Sequence, residues 1–555
     1  MEKGVRPFST GAASLLLMIL LSCLLFSRTW GHPFYLDAVN KIELNPDLRD
    51  PHPTLALFFN VYPDGQKGTH FHNDPSRPLT YFFYWTCWQL GKGSPTWFHA
   101  TNSVLHGATA GMLILFLSPW WGLSLSVLAG LLFLVLPLNA GTVMYAFGLS
   151  DILSAFLILS IFVWSQTTKN SRAQIAGAVV LFMAALATKQ SAIVVPALVF
   201  LLRKRDRQLF ATLSFAGLGY LMARFMIYGR VGDLEAVEQF DRADYFLFQG
   251  SMIFKYIEKA LLPIGLALDH AVKIQDVSIL WQMLSWLVIA VVSGVAAWRW
   301  TKSSSDSLGW PVAWFLFLIP LLPVSSFMPT TDLFVERRAY LSSVGLIGLL
   351  VPLVKWGTRP ILQRVSVLVA VLVMGTLTWK RQEVYQSAIG VYGESAKLYP
   401  FDLRSKGNLA TAHYKLGNIE EAQKEYEAIL AINPKDLAAL NNLASIYFSE
   451  KKELDKAAVL YRRAIEVEPR DLNANFNYGL LLANQGKMDS ARRQFQTTVQ
   501  LNDRFVPGYI NLAKLDILSK NWREALEYLV QVLALAPDQS EAIALKRLVE
   551  KSIQP

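Results

Sequence analysis

Residues 408–434 read NLATAHYKLGNIEEAQKEYEAILAINP, and this stretch decides the fold of the last third of the chain. Small side chains stand at Ala410 and Ala422, and the large Tyr426 follows four residues after the second. Small residues let two helices approach closely, and a large residue fills the groove beside them. Pro434 ends the pattern, because proline cannot continue a helix. The stretch therefore predicts two packed helices joined by a short turn.

The same pattern recurs at intervals of 34 or 35 residues. The small residues form two series, Ala410, Ala444, Gly479, Ala513 and Ala422, Ala457, Ala491, Ala525. Large residues follow the second series at Tyr426, Tyr461, Phe495 and Leu529. A helix–turn–helix unit of this period is typical of the tetratricopeptide repeat. The sequence predicts four full repeats over residues 401–555, preceded by a half repeat over 379–400.

The rest of the chain has the composition of a membrane protein. Hydrophobic residues make up 53% of the sequence and charged residues 17%, which is too apolar for soluble domains alone. Apolar runs near the length that a bilayer requires predict about eleven spans. They are 11–27, 98–117, 121–138, 150–166, 173–188, 190–202, 208–228, 279–299, 310–328, 339–355 and 361–378. We therefore expect an all-α fold, a polytopic helix bundle over 1–378 followed by an α-solenoid.

Two long polar segments, 28–97 and 229–278, interrupt the apolar runs and are predicted as outer loops. Aromatic residues over 79–90 favour an interfacial helix within the first loop. The first apolar run lacks a signal-peptide cleavage pattern and is interpreted as an uncleaved anchor. Cys23 and Cys87 both lie in apolar or aromatic surroundings, so no disulfide framework is predicted.

The charge distribution predicts the orientation of the bundle. With a cytoplasmic N-terminus, the inner segments hold thirteen Lys and Arg against three acidic residues, as the positive-inside rule requires. An odd number of spans then places the repeats on the outer side. We expect a bacterial inner membrane with periplasmic repeats, or the endoplasmic reticulum membrane with luminal repeats in a eukaryote. From Lys380 onward, 24 basic residues face 22 acidic ones, so no basic surface for nucleic acid is predicted.

Polar groups at membrane depth are costly and usually functional, and several gather at the predicted outer ends of the spans. They lie in six short segments, 37–47, 77–80, 98–106, 148–151, 189–190 and 336–345. These segments resemble the transmembrane and tetratricopeptide-repeat-containing O-mannosyltransferases and their bacterial relatives. Their order and the junction with the repeats extend the resemblance over nearly the whole chain. The chain departs from that family at Ala38 and Gln190, where acids are expected, and at Ser342, where proline is expected.

The resemblance implies a class C glycosyltransferase (GT-C) fold and an inverting transfer of sugar from a polyprenyl-phosphate donor to hydroxyl groups of exported proteins. Asp37 would be the catalytic base, and Asp151 would orient the acceptor or the sugar. The lipid phosphate would be bound by Arg77, Lys189, Glu336, Arg337 and Arg338. Polar support would come from His99, Asn102 and His106. The repeats would bind the acceptor polypeptide. Dependence on a divalent metal stays open, although no metal ligand set is predicted.

Other interpretations stay open at this stage. The chain could be a non-enzymatic scaffold for envelope proteins, or an oligosaccharide transferase of the O-antigen-ligase type. Asp37 could be one solvated loop acid among several, and Asp151 could serve only to cap the helix that begins there. Glu336 and Arg337 could form a structural ion pair.

Overall fold

The computed structural model describes residues 7–53, 57–58, 74–168, 171–203, 206–229, 240–302, 308–325, 329–330, 332–351 and 360–553. Regular structure in these ranges is entirely helical, as the sequence predicts. The chain divides into two compact units, Met1–Leu398 and Tyr399–Pro555.

The helices of the first unit are α1 (Pro7–Phe26), α2 (Pro78–Gly91), α3 (Pro95–Val135), α4 (Pro137–Met144), α5 (Leu149–Thr167), α6 (Ser171–Leu186), α7 (Val195–Leu202), α8 (Arg207–Tyr228), α9 (Arg242–Leu261), α10 (Ile279–Lys302), α11 (Trp310–Leu318), α12 (Ser343–Leu350), α13 (Pro360–Arg381) and α14 (Ala388–Leu398). The helices of the second unit are α15 (Leu403–Lys415), α16 (Ile419–Ile432), α17 (Leu437–Ser445), α18 (Leu454–Val467), α19 (Leu472–Asn484), α20 (Met488–Leu501), α21 (Val506–Leu518), α22 (Trp522–Leu535) and α23 (Ser540–Ile553).

Within the described ranges, five helices are long and apolar enough to cross a membrane, namely α1, α3, α5, α8 and α10. Helices α7, α11 and α12 contain only eight or nine residues each, fewer than the 17 or more that a spanning helix needs. The predicted count of eleven spans is therefore not confirmed.

Two of the predicted spans, 98–117 and 121–138, fall largely within one helical segment, α3. The segment is interrupted at Gly122, whose φ of 72° and ψ of 166° are not helical. Pro119 lies three residues earlier and removes a backbone donor from the same region. The two halves of α3 are therefore separated by a sharp break and not by a loop.

The two polar segments predicted as outer loops both contain helices, although residues 54–56, 59–73 and 230–239 lie outside the described ranges. In the second segment, α9 buries Tyr245, Phe248, Met252 and Tyr256, which recur at the three- and four-residue intervals of one helix face. Asp241 starts this helix by accepting a hydrogen bond from the backbone N–H of Ala243 at 2.8 Å. In the first segment, α2 covers the aromatic stretch 79–90.

The second unit consists of four helix pairs, α15 to α22, followed by α23. The small residues of both predicted series are buried, and their alanines are all 0% exposed. At Gly479, a Cβ atom would lie 2.7 Å from the ring of Phe495, so only glycine allows this contact. The helix pairs and their packing match the repeat pattern of the sequence. The helix of the half repeat, α14, belongs to the first unit.

Candidate functional site

Asp37 lies just before a short helical turn, Val39–Glu43, in the segment that follows α1. Its side chain is exposed, and Oδ2 accepts a hydrogen bond from the hydroxyl of Tyr145 at 3.4 Å. The preceding Leu36 has a φ of 47°, a left-handed conformation that costs a residue with a side chain about 1–2 kcal/mol. An exposed carboxylate in this setting can take a proton from an approaching hydroxyl group.

Ala38, where the resembled family often has a second acid, is completely buried. It belongs to an apolar cluster with Phe34, Tyr81, Tyr84 and Phe98. An ionised carboxylate at this position would lose its hydration without gaining a charged partner. The departure at Ala38 therefore fits the surrounding packing and leaves Asp37 as the acid that faces outward.

Arg337 brings a positive charge to the same place. Its guanidinium lies over the ring of Tyr145, 5.8 Å from the ring centroid, and interacts electrostatically with Asp37 and Asp151. Among the described residues, its side chain makes no hydrogen bond or salt bridge. A half-buried guanidinium with free donors suits a phosphate group.

Asp151 and Lys189 form a close ion pair, and Asp151 also interacts electrostatically with Arg337. Both side chains are largely buried, with 7% and 17% exposed. Asp151 is the third residue of α5 and not its N-cap residue. The N-cap residue is Gly148, and it makes no side-chain hydrogen bond. Burial lowers the pKa of Lys189, and the nearby carboxylate of Asp151 opposes this shift. Together with Ser154, Ser191 and Arg338, the pair lines a small cavity of about 30 Å³.

Arg77 lies close enough to Lys189 to act on it electrostatically, but its guanidinium is already paired. Nε lies 3.0 Å from Oδ2 of Asp74. Burial alone would raise the pKa of Asp74, yet Arg77 and the hydrogen bonds from Ser76 hold it below its usual value. Arg77 therefore contributes positive charge near the site, with its Nε directed at Asp74.

Gln190, the second departure from the resembled family, has a structural role beside Arg77. With its amide oxygen turned toward Arg224, it accepts a hydrogen bond from Nη2 at 2.7 Å. The same amide oxygen then lies 2.9 Å from the hydroxyl of Ser76. Gln190 thus joins the start of α2 to α8.

The side chain of Glu336 pairs with residues other than Arg337 and Arg338, the phosphate-binding candidates that follow it in sequence. It is buried, and its Oε2 lies 2.7 Å from Nη2 of Arg381. Its Oε1 lies 2.8 Å from Nε2 of His270 and accepts a hydrogen bond from the backbone N–H of Ala267 at 2.8 Å. Burial alone would raise the pKa of Glu336, but Arg381 and His270 hold it below its usual value. The geometry corrects the pairing considered from the sequence, since the partner of Glu336 is Arg381 and not Arg337.

Arg338 points in a different direction from Arg337. It donates hydrogen bonds to the backbone carbonyl of Asp332 at 2.8 Å and to the hydroxyl of Thr330 at 3.0 Å. These contacts hold it at the wall of the cavity that contains Asp151. Of the predicted phosphate ligands, Lys189 pairs with Asp151, and Arg337 interacts electrostatically with both Asp37 and Asp151.

His99, Asn102 and His106 are buried on α3 and bond within the bundle. Asn102 donates to the backbone carbonyl of Tyr145 at 3.0 Å, which fixes the segment that carries this tyrosine. His106 Nδ1 lies 2.6 Å from the hydroxyl of Tyr340. His99 Nε2 lies 3.1 Å from a backbone carbonyl in the segment after α1. These hydrogen bonds are consistent with a role in holding the residues around the site. Among the described residues, none of the three is hydrogen-bonded to Asp37.

Sequence reasoning missed Tyr145, Arg381 and His270. Tyr145 lies six residues before Asp151. This closeness in sequence to a candidate site residue was the only signal that could have identified it. Arg381 and His270 lie far from Glu336 in sequence, so only the folded chain brings them together. In the part of the chain that the structure describes, no three His, Cys, Asp or Glu side chains gather as metal ligands would.

The fold and site define a class of protein, an all-α chain with apolar helices of membrane-spanning length, a charged cluster and a helical repeat array. Comparison with known families confirms the repeats, because the tetratricopeptide repeat family matches residues 408–465 and 453–504. The structure of the TPR protein YrrB is 21% identical and covers 31% of this chain and 89% of its own, with a TM-score of 0.26.

Two curated relatives match most of the chain. A protein O-mannosyl-transferase of Caenorhabditis elegans is 22% identical over 78% of this chain and 64% of its own length. Protein O-mannosyl-transferase TMTC3 of Homo sapiens is 22% identical over 89% of this chain and 65% of its own length. The matched region therefore spans slightly less than two thirds of these relatives. Over most of its length, the chain is therefore similar to proteins named protein O-mannosyl-transferase.

Proposed function

We propose that this protein is an inverting membrane glycosyltransferase of the GT-C class. It moves a sugar, mannose by analogy with the names of its relatives, from a polyprenyl phosphate to hydroxyl groups of exported polypeptides. The observation that carries the proposal is that Asp37 and Arg337 both contact Tyr145, Asp37 at its hydroxyl and Arg337 at its ring. This shared contact supports a site in which Asp37 is the base and Arg337 binds the phosphate.

In the proposed reaction, Asp37 accepts the proton of the acceptor hydroxyl as the hydroxyl oxygen attacks the anomeric carbon of the sugar. The bond between that carbon and the phosphate oxygen breaks, and its electron pair leaves with the lipid phosphate. Attack from the side opposite the departing phosphate inverts the anomeric centre. A positioned general base contributes a factor of about 10²–10⁴ to such a step.

Arg337 and Lys189 would stabilise the negative charge that grows on the departing phosphate. Arg337 is suited to this role because its guanidinium donors have no partner among the described residues. Lys189 is held by Asp151, which would also orient the acceptor or the sugar. Arg77 and Arg338, both paired within the protein, would add positive charge around this centre.

The acceptor polypeptide would be bound by the repeats. Stacked helix pairs form extended surfaces that suit long, flexible partners, and the second unit has this construction. The apolar faces of α8 and α10, where Phe215 and Met283 are exposed, would lie against the bilayer that holds the donor lipid.

The central test is the Asp37→Asn variant, which removes the base and keeps the size of the side chain. We expect sugar transfer from a synthetic polyprenyl-phosphate mannose to a hydroxyl-bearing peptide to fall by a factor of about 10²–10⁴. Membrane insertion and thermal unfolding should stay as in the wild type. The matched control is Glu43→Gln, a carboxylate change at an exposed position of the same segment, which should leave transfer unchanged. Full activity of Asp37→Asn would refute the assignment of the base.

A further inference from the structure

Residues 381–392 run from the last residue of α13 through the connection into α14, and they bond to sequence neighbours of both Asp37 and Arg337. They include Arg381, Tyr385 and Tyr392, and none of the three has been assigned to the chemistry. Each of them bonds to a residue that lies one or two positions before Asp37 or Arg337 in sequence. We call residues 381–392 the positioning segment.

On the Asp37 side, two hydrogen bonds tie the chain to the positioning segment. The hydroxyl of Tyr35 donates to the backbone carbonyl of Tyr385. The backbone N–H of Leu36 donates to the hydroxyl of Tyr392 at 3.2 Å. Leu36 is the residue in the left-handed conformation, and such a conformation persists only when surrounding contacts hold it. The direction of Asp37 therefore depends on these two bonds.

On the Arg337 side, the contact is the buried ion pair between Glu336 and Arg381, with Oε2 and Nη2 2.7 Å apart. Gly141 of α4 leaves room for this pair, because a Cβ atom there would lie 3.3 Å from Nη2 of Arg381 and 3.4 Å from Oε2 of Glu336. It would also lie 3.1 Å from the hydroxyl of Tyr385. The residue before Arg337 is thus anchored to the same short segment that holds Leu36.

We propose that the positioning segment fixes the distance between Asp37 and Arg337, with Tyr392 and Arg381 as positioning residues. The inference rests on the proposed function, since it assigns these residues to the alignment of the proposed base and the proposed phosphate ligand. Asp37 and Arg337 lie about 300 residues apart in sequence, and one element that binds both neighbours sets their separation directly. An error of about 1 Å in such alignment can cost about 10² in rate.

The experiment compares Tyr392→Phe with the wild type in the full-length protein. The variant removes only the hydroxyl that accepts from Leu36. The matched control is Tyr426→Phe, which removes a hydroxyl bonded to Thr411 at 2.9 Å in the repeats. Two quantities are measured: the hydrogen exchange of the amides of residues 34–39, and the steady-state constants for sugar transfer from polyprenyl-phosphate mannose to a peptide.

We expect faster exchange at Leu36 and a kcat reduced about tenfold, with the KM for the donor changed by less than about twofold. Tyr35→Phe, which removes the bond to Tyr385, should change kcat in the same direction. Tyr426→Phe should change neither quantity. A general loss of folding would instead lower the active fraction and expose amides throughout the first unit.

The inference is overturned if exchange at Leu36 is unchanged, or if it accelerates while kcat stays at the wild-type value. Either result, obtained with an active wild type, leaves the proposed function intact. A wild type that transfers no sugar overturns the proposed function and the positioning role together, so the two failures are distinguishable.

Discussion

Ala38 shows how a single buried residue restricts which acids the site can contain. Its side chain is fully enclosed by an aromatic cluster, so we expect Ala38→Asp to lower the free energy of unfolding by more than about 2 kcal/mol. The cause is the loss of hydration of the new carboxylate among apolar and aromatic side chains. Thermal unfolding of the purified protein in detergent measures the effect.

The control for this change is Asn40→Asp, which adds the same charge two positions later on an exposed side chain. It should unfold close to the wild-type temperature. If Ala38→Asp is as stable as this control, then the apolar cluster around Ala38 can accommodate a carboxylate at little cost. The packing would then not explain why the chain lacks a second acid at this position.

At the residue scale, sequence reasoning named Asp37, Asp151, Lys189 and Arg337, and the structure brings these four together. Asp151, Lys189 and Arg337 could be anticipated as a group because each lies at the end of a predicted span, where polar residues are unusual. Asp37 lies ten residues beyond the first apolar run and was added by the resemblance to the O-mannosyltransferases. The partner of Glu336 could not be anticipated. Arg381 looks like an ordinary basic residue at the end of the last apolar run, and only packing aims it at a buried carboxylate.

Among the helices, α11 and α12 approach so closely that one of them requires a glycine. A Cβ atom at Gly345 would lie 2.1 Å from the backbone nitrogen of Phe317 and 2.6 Å from the carbonyl oxygen of Ala313. Backbone atoms cannot move aside as a flexible side chain can, so we expect Gly345→Ala to destabilise the protein by at least about 1–3 kcal/mol. The midpoint of thermal unfolding measures this loss.

Gly294→Ala in α10 is the matched control, because a Cβ atom there has no neighbour within 4 Å. It should be neutral or slightly stabilising, since alanine favours helix more than glycine. Equal stability of both variants would mean that α11 and α12 can separate without cost.

At the element scale, the sequence predicted helix positions better than it predicted spans. Apolar composition located α5, α8 and α10 to within a few residues. It could not show that α7, α11 and α12 are short, because an apolar run looks the same whether its backbone is one helix or a helix with irregular ends. Tyr245, Phe248 and Met252 have the spacing of one helix face, but the polar residues between them obscured that pattern, and the segment was predicted as a loop.

For the whole molecule, the decisive property is the side of the membrane on which each unit lies. The repeat array was readable from the sequence because its period is carried by local packing. The sidedness depends instead on the number of spans, and five long helices together with several short ones do not fix that number. If the number of spans is odd, the charge bias predicts Asp37 and the repeats on one side and the start of α8 on the other.

Labelling of single cysteines with a membrane-impermeant maleimide tests this arrangement in spheroplasts or sealed vesicles of known orientation. Cys23 and Cys87 are first replaced by serine, and one cysteine is introduced at Glu43, Asn473 or Gln208, all of which are exposed. We expect the cysteines at 43 and 473 to react from the outer side, and the cysteine at 208 only after the membrane is permeabilised. Protection of position 473 together with reaction at 43 would mean an odd number of crossings between them, with the repeats on the cytoplasmic face. This result would separate the repeats from Asp37 and remove them as the acceptor-binding surface.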